Sequence, residues 1–286
     1  MRNCLILGSG RSGTSLLAGT LAGAGYYMGD KIMPPTIGNP KGYFEAYDIQ
    51  NLNEDILAKN MFNRPPGRLG ELFFKHIPVK NQRWLARIPL RKKIDCPPDI
   101  LKRIKEKTSS PPYCFKDPRF CYTLPVWREY LDKPVFFCVF RHPSDTAESI
   151  LMEGEREKYL KSLEITRRQI FKLWNLMYSH VLEIHSKTGE WIFLHYNQVF
   201  DTIIIDMIEE RIGAKVDRSF PERKLHKDRE KKPVPVKVSE VYNRLCKRAN
   251  YPVEQEIKMV KPGKPDSSRK WVKDAFVPSP GGNIHG

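Results

Sequence analysis

Apolar residues along this chain fall into short uninterrupted runs separated by stretches spaced for helices. The first run covers residues 3–7, stops at Gly8, and is followed by a glycine-rich turn and a small-residue helical pattern over 14–24. That order predicts strand, loop, helix. Residues 26–46 carry Gly29, Pro34, Pro35, Gly38, Asn39, Pro40 and Gly42 and read as a long ordered loop, after which Asp48 can cap a helix reaching about residue 59. Strands are expected over 113–116, 135–140 and 191–196, and helices over 98–108, 119–131, from Pro143, and over 160–188, 202–212 and 239–249. The run at 135–140 is apolar throughout, as a strand buried on both faces must be. Alternating strands and helices predict an α/β fold, a parallel sheet flanked by helices.

Two segments depart from this alternation. Residues 60–98 interleave Arg64, Arg68, Lys75, Lys80, Arg83, Arg87, Arg91, Lys92 and Lys93 with Phe73, Phe74, Trp84 and Leu85, and read as an insertion with a basic surface. Residues 215–286 are basic and proline-punctuated, a cap or tail on what is expected to be one domain over 1–286.

At 286 residues with 40% apolar side chains, the chain is long enough to remove roughly 75% of its unfolded surface from water. Its 18 glycines and 23 prolines stay below the level of low-complexity sequence. No run approaches the length of a membrane span, and neither a transmembrane helix nor a secretory signal is expected. The formal net charge of +16 favours an anionic partner, and residues 215–286 hold 18 basic against 9 acidic residues, over half of the excess. The six cysteines form no C-x-x-C pair and read as reduced, packed thiols of a cytoplasmic protein.

The segment Gly8-Ser9-Gly10-Arg11-Ser12-Gly13-Thr14-Ser15 joins the first strand to a helix, where exposed backbone N–H groups and the helix dipole make an anion site. A Walker A loop would place lysine after Gly13, and Thr14 stands there, which disfavours ATP or GTP hydrolysis. Gly8, Gly10 and Gly13 do spell G-x-G-x-x-G, with Asp30 near the position of a ribose-binding acid. A Rossmann-type NAD(P)-dependent oxidoreductase is therefore one reading, although residues 26–29 lead into a proline-rich loop where a second buried strand should end.

The sequence Arg11-Ser12-Gly13-Thr14-Ser15 resembles the phosphosulfate-binding loop of PAPS-dependent sulfotransferases (PAPS is 3'-phosphoadenosine 5'-phosphosulfate). Asn39-Pro40-Lys41-Gly42-Tyr43-Phe44-Glu45, Lys116-Asp117-Pro118-Arg119 and Phe140-Arg141-His142-Pro143 are similar, in order and spacing, to segments of the bacterial branch of that family. The resemblance runs over about residues 1–200. It implies a P-loop-like fold, with Gly10, Arg11, Ser12, Gly13, Thr14 and Ser15 at the phosphosulfate. It also implies Arg141 and Ser149 at the 3'-phosphate, since the family places an arginine at a strand end and a serine eight residues on. A guanidinium suits that phosphate because it binds in a bidentate, charge-assisted manner.

Sulfuryl transfer from PAPS needs an in-line acceptor, a base and positive charge at the leaving oxygen, and it calls for no metal or redox cofactor. Arg11 is the candidate for that charge, and Lys116 the second, from its likeness to the family's lysine-containing strand end. Glu45 is the expected base by the same likeness, with His142 and Asp117 next in line. The acceptor class is a hydroxyl, less readily an amine, of a small molecule, lipid-like metabolite or glycan, and the basic stretches at 64–93 and 218–232 suit an anionic one. Arg223 and Lys224 are further candidates for the 3'-phosphate. A basic nucleic-acid-binding module fits less well, because the aromatic residues fall mostly in predicted strands and helices rather than on a basic face.

Overall fold

The computed structural model describes residues 1–110, 112–223 and 231–252. Four parallel strands, β1 (Cys4–Leu7), β2 (Cys114–Lys116), β3 (Val135–Phe140) and β4 (Glu190–His195), form one sheet in the order β2-β1-β3-β4. Leu5 pairs with Phe115 on one side and with Phe136 on the other, and Val139 pairs with Leu194. Parallel strands need crossovers, and helices supply them.

Alternate strand residues face opposite layers. Leu5, Leu7, Phe136, Cys138 and Phe140 pack against α2 (Tyr47–Asn60), α4 (Pro98–Thr108), α5 (Phe120–Trp127), α6 (Pro143–Arg156), α7 (Arg167–Glu183) and α9 (Val236–Arg248). Cys4, Ile6, Val135, Phe137 and Val139 face α1 (Thr14–Ala22) and α8 (Thr202–Ile212). β1 and β3 are thus apolar at every position because both faces are covered. α1 follows β1 on one layer and α6 follows β3 on the other, so the loops after these neighbouring strands diverge. An open α/β sheet holds its ligands in the crevice so formed, beyond the carboxyl ends of its strands.

Several element bounds differ from the sequence reading. The helix expected over 160–188 starts at Arg167, because Thr166 and Gln169 form a reciprocal capping box. The helix expected over 119–131 ends at Trp127 and tightens into a 3-10 turn over Arg128–Tyr130. Within residues 60–98 a short helix, α3 (Gly67–Phe73), forms, and Trp84, Leu85, Ala86 and Ile88 lie buried in the larger core. Some of the segment's cations are tied internally: Arg64 donates to the carbonyls of Ile77 at 3.0 Å, Lys75 at 2.8 Å and Ser162 at 2.9 Å.

All six cysteines are thiols, and Cys4, Cys114, Cys121, Cys138 and Cys246 are buried. Among the described residues no helix is long and apolar enough to cross a membrane. Lys224 and the tail beyond Pro252 lie outside the described residues.

Candidate active site

Close packing shapes the loop after β1. Gly8 lies so near β3 that a Cβ there would stand 2.2 Å from the Val139 carbonyl oxygen. A Cβ on Gly10 would meet the Trp84 ring at 2.5 Å, and one on Gly13 the Tyr196 ring at 2.3 Å. The loop backbone is thus held between two aromatic rings. Gly13, at φ 93°, is the N-cap of α1 and supplies no side-chain cap, so the first-turn N–H groups are available to an anion. Arg11 holds φ 67°, a left-handed conformation uncommon outside glycine.

One cavity of about 700 Å³ brings most of the expected residues together. Gly10, Arg11, Gly13, Thr14 and Ser15 line it from the loop, Lys116 from the end of β2, Arg141 from the end of β3, Ser149 from α6, and Glu45 from the segment before α2. Arg11 Nε donates to Ser149 Oγ at 3.0 Å, Nη2 donates to the Gly38 carbonyl at 2.9 Å, and Nη1 lies 3.3 Å from Glu153 Oε2. Lys116 Nζ donates to Ser15 Oγ at 3.2 Å and to the Tyr43 carbonyl at 3.0 Å, and it ion-pairs with Glu45 Oε1. Arg141 Nε donates to Asp145 Oδ2 at 3.2 Å, and its guanidinium lies 4.8 Å from the centre of the Tyr196 ring. The same Asp145 oxygen accepts from Lys231 Nζ at 2.8 Å.

Other expected residues stand apart from the cavity wall. The Ser12 side chain is buried and bonds Thr146 Oγ1 at 3.3 Å, so only its backbone belongs to the loop. His142 caps α6 by accepting from Ser144 N at 3.3 Å, and burial lowers its pKa to about 4 against the raising effect of Asp145. Asp117 is buried and accepts from Arg119 Nη1 at 3.2 Å, and burial pushes its pKa up to about 6 although Arg119 pulls it down. Neither His142 nor Asp117 opens onto the cavity. Arg223 is exposed and lies over Phe200, 5.5 Å from its ring centre.

The dinucleotide reading loses its second βα unit. Asp30 is exposed and bound to Tyr27 and Lys107, and the strand that follows β1 in the chain is β2, more than ninety residues on. Proline and glycine between residues 34 and 42 prevent a continuous strand there.

Sequence reasoning missed Glu153 and Tyr196, which line the cavity, gave Tyr43 no role of its own within the segment 39–45, and took Lys231, which reaches Asp145, only as part of the basic stretch 218–232. Glu153 stands four residues after Ser149 on α6, the spacing of one helix face, and Tyr196 directly follows β4. Those signals were present in the sequence, whereas nothing local marks Lys231.

The structure is similar to two solved sulfotransferase domains. That of the Synechococcus PCC 7002 olefin synthase has 14% identity and a TM-score of 0.49, over 88% of this chain and 95% of that one. That of the curacin biosynthetic pathway has 15% identity and a TM-score of 0.48, over 89% and 99%. No family model and no curated protein matches the chain.

Proposed function

We propose that the chain is a sulfotransferase of one domain that moves the sulfuryl group of PAPS to a hydroxyl of a small acceptor. One observation carries this reading: a single cavity is lined at once by an anion-binding loop without the Walker lysine, by an arginine and serine suited to a second phosphate, and by a buried Lys–Glu pair. A nucleotide with phosphate groups at both ends of its ribose fits that arrangement, and the glycines at 10 and 13 let the Trp84 and Tyr196 rings pack directly on the loop backbone and hold its shape. The six thiols suit a reducing compartment such as the cytoplasm.

PAPS supplies the sulfuryl group, and this chain supplies position and charge. The loop N–H groups and the α1 N-terminus hold the phosphosulfate, Arg141 and Ser149 hold the 3'-phosphate, and Tyr196 offers an aromatic face beside them. Arg11 and Lys116 neutralise the oxygen that leaves with adenosine 3',5'-bisphosphate. Glu45 takes the proton of the acceptor hydroxyl as the acceptor oxygen bonds to sulfur and the sulfur–oxygen bond to the 5'-phosphate breaks. The Lys116–Glu45 contact holds the carboxylate in place until the acceptor arrives. Arg119, paired with Asp117 and with Glu54 at 2.6 Å, anchors the segment that carries Lys116.

Incubation with sulfur-labelled PAPS and a metabolite extract tests the reading. Label should pass to an organic acceptor with the wild-type chain and fail to pass with Arg11→Ala. Transfer that is equal with both chains would count against it.

A further inference from the structure

Glu153 is a carboxylate in the wall of a cavity whose proposed guest is a polyanion. Its side chain is 4% exposed, and its Oε2 lies 3.3 Å from Arg11 Nη1. Its Oε1 accepts from the Tyr43 hydroxyl at 3.2 Å, and that hydroxyl shares a 2.8 Å hydrogen bond with Thr36 Oγ1. Glu45 and Glu157 line the same cavity, and so do Lys41, Lys116, Arg141 and Arg156. A buried carboxylate keeps its charge only where cations or hydrogen-bond donors face it. Phosphosulfate engaging Arg11 would load that guanidinium with a second anion, leaving Glu153 with less compensation than before.

We propose that Glu153 determines acceptor specificity: its subsite takes hydroxyl compounds that carry a second hydroxyl or an ammonium group, and rejects those that carry an anionic group. The proposal rests on the sulfotransferase reading of the cavity. It also reverses the inference drawn from net charge. The surplus of +16 belongs to the whole chain. Lys41 and Arg156 line the cavity as well, but an acceptor beside Glu153 meets that carboxylate and the sulfuryl group's own negative charge, and a second donor or an ammonium balances that field while a carboxylate adds to it.

Three small acceptors matched in size separate the outcomes: ethanolamine, ethylene glycol and glycolate, which pair one hydroxyl with an ammonium, a hydroxyl and a carboxylate. Release of adenosine 3',5'-bisphosphate from PAPS is followed with each, above the rate in water, for wild type and Glu153→Gln. The bisphosphate's own binding to both chains is measured by calorimetry. Wild type should favour ethanolamine over ethylene glycol over glycolate, with about tenfold or more between first and last. Glu153→Gln should compress that range to about twofold while binding the bisphosphate at least as well. Preference of wild type for glycolate, an unchanged ranking in the variant, or no stimulation by any of the three would overturn the proposal. Failure of wild type to bind the bisphosphate would instead overturn the sulfotransferase reading. The wild-type ranking stands as a test whether or not the variant folds.

Discussion

Arg11 reaches from the loop after β1 to α6, where its Nε donates to Ser149 Oγ at 3.0 Å. The contact joins the loop expected to hold the phosphosulfate to the helix that follows Arg141. Each partner can therefore sense a ligand at the other's end of the cavity. Ser149 and Glu153 stand one helical turn apart, so the same helix face offers Arg11 a hydroxyl and a carboxylate.

The first consequence concerns the two phosphates of the nucleotide. Arg141→Ala should weaken adenosine 3',5'-bisphosphate by about ten- to a hundredfold, the worth of a charge-assisted hydrogen bond, and leave adenosine 5'-phosphate nearly unchanged. Ser149→Ala should show the same selectivity at smaller size. Calorimetry that finds equal losses for both ligands would remove Arg141 from that role.

Glu45 and Arg11 should separate in kinetics. Glu45→Gln keeps the shape but cannot take a proton, so turnover should fall by about 10²- to 10⁴-fold with nucleotide affinity barely moved. Arg11→Ala should damage both, because its guanidinium is proposed to touch the phosphosulfate in the ground state and more strongly as charge develops. Turnover by Glu45→Gln close to wild type would send the search for the base elsewhere in the cavity wall. His142 and Asp117 are poor replacements, since neither opens onto it.

Much of this arrangement was legible in the sequence because its signals are local. The apolar runs fix β1 and β3, and the glycine spacing between residues 8 and 13 fixes the turn at the head of α1. Arg141 announces itself by following the most apolar run of the chain. What escaped depends on contacts between distant segments. Residues 60–98 read as a basic insertion because charge was weighed without partners, yet Trp84 packs on Gly10 and Arg83 pairs with Glu54 at 2.8 Å. The start of α7 escaped because helical periodicity continues through residues 160–166, whereas Thr166 and Gln169 set the boundary by their side-chain bonds.

Stability should hinge on the buried cluster behind Lys116. Arg119 is fully buried, with Glu54 Oε1 2.8 Å from its Nε and Asp117 Oδ1 3.2 Å from its Nη1. Glu54→Ala removes one of its two paired carboxylates and should cost about 3–5 kcal/mol, as breaking a buried ion pair does. Denaturant unfolding measures this, and a loss under about 1 kcal/mol would mean that Asp117 alone compensates the guanidinium.

The pH dependence of stability has a definite sign. Burial lowers His142 and His185 from 6.5 to about 4, so both favour folding above pH 6.5 and lose that contribution as the pH falls toward 4. Asp117, raised from 3.8 to about 6, acts in the opposite sense, favouring folding as the pH falls through 6. Two imidazoles outweigh one carboxyl, and the chain should be less stable at pH 5 than at pH 7. His142→Asn keeps an N-cap acceptor without the titration, and should flatten the slope over this range by up to about 1.4 kcal/mol per pH unit. Denaturation midpoints that show the same slope in both chains would contradict the assignment.

The most direct test of the sulfotransferase account is metal-free calorimetry with adenosine 3',5'-bisphosphate, adenosine 5'-phosphate, ADP and NAD. A cavity with a second phosphate site at Arg141 should bind the bisphosphate at least about tenfold more tightly than the monophosphate, with ADP and NAD showing no such gain. Equal binding of bisphosphate and monophosphate, or tighter binding of NAD or ADP, would contradict it.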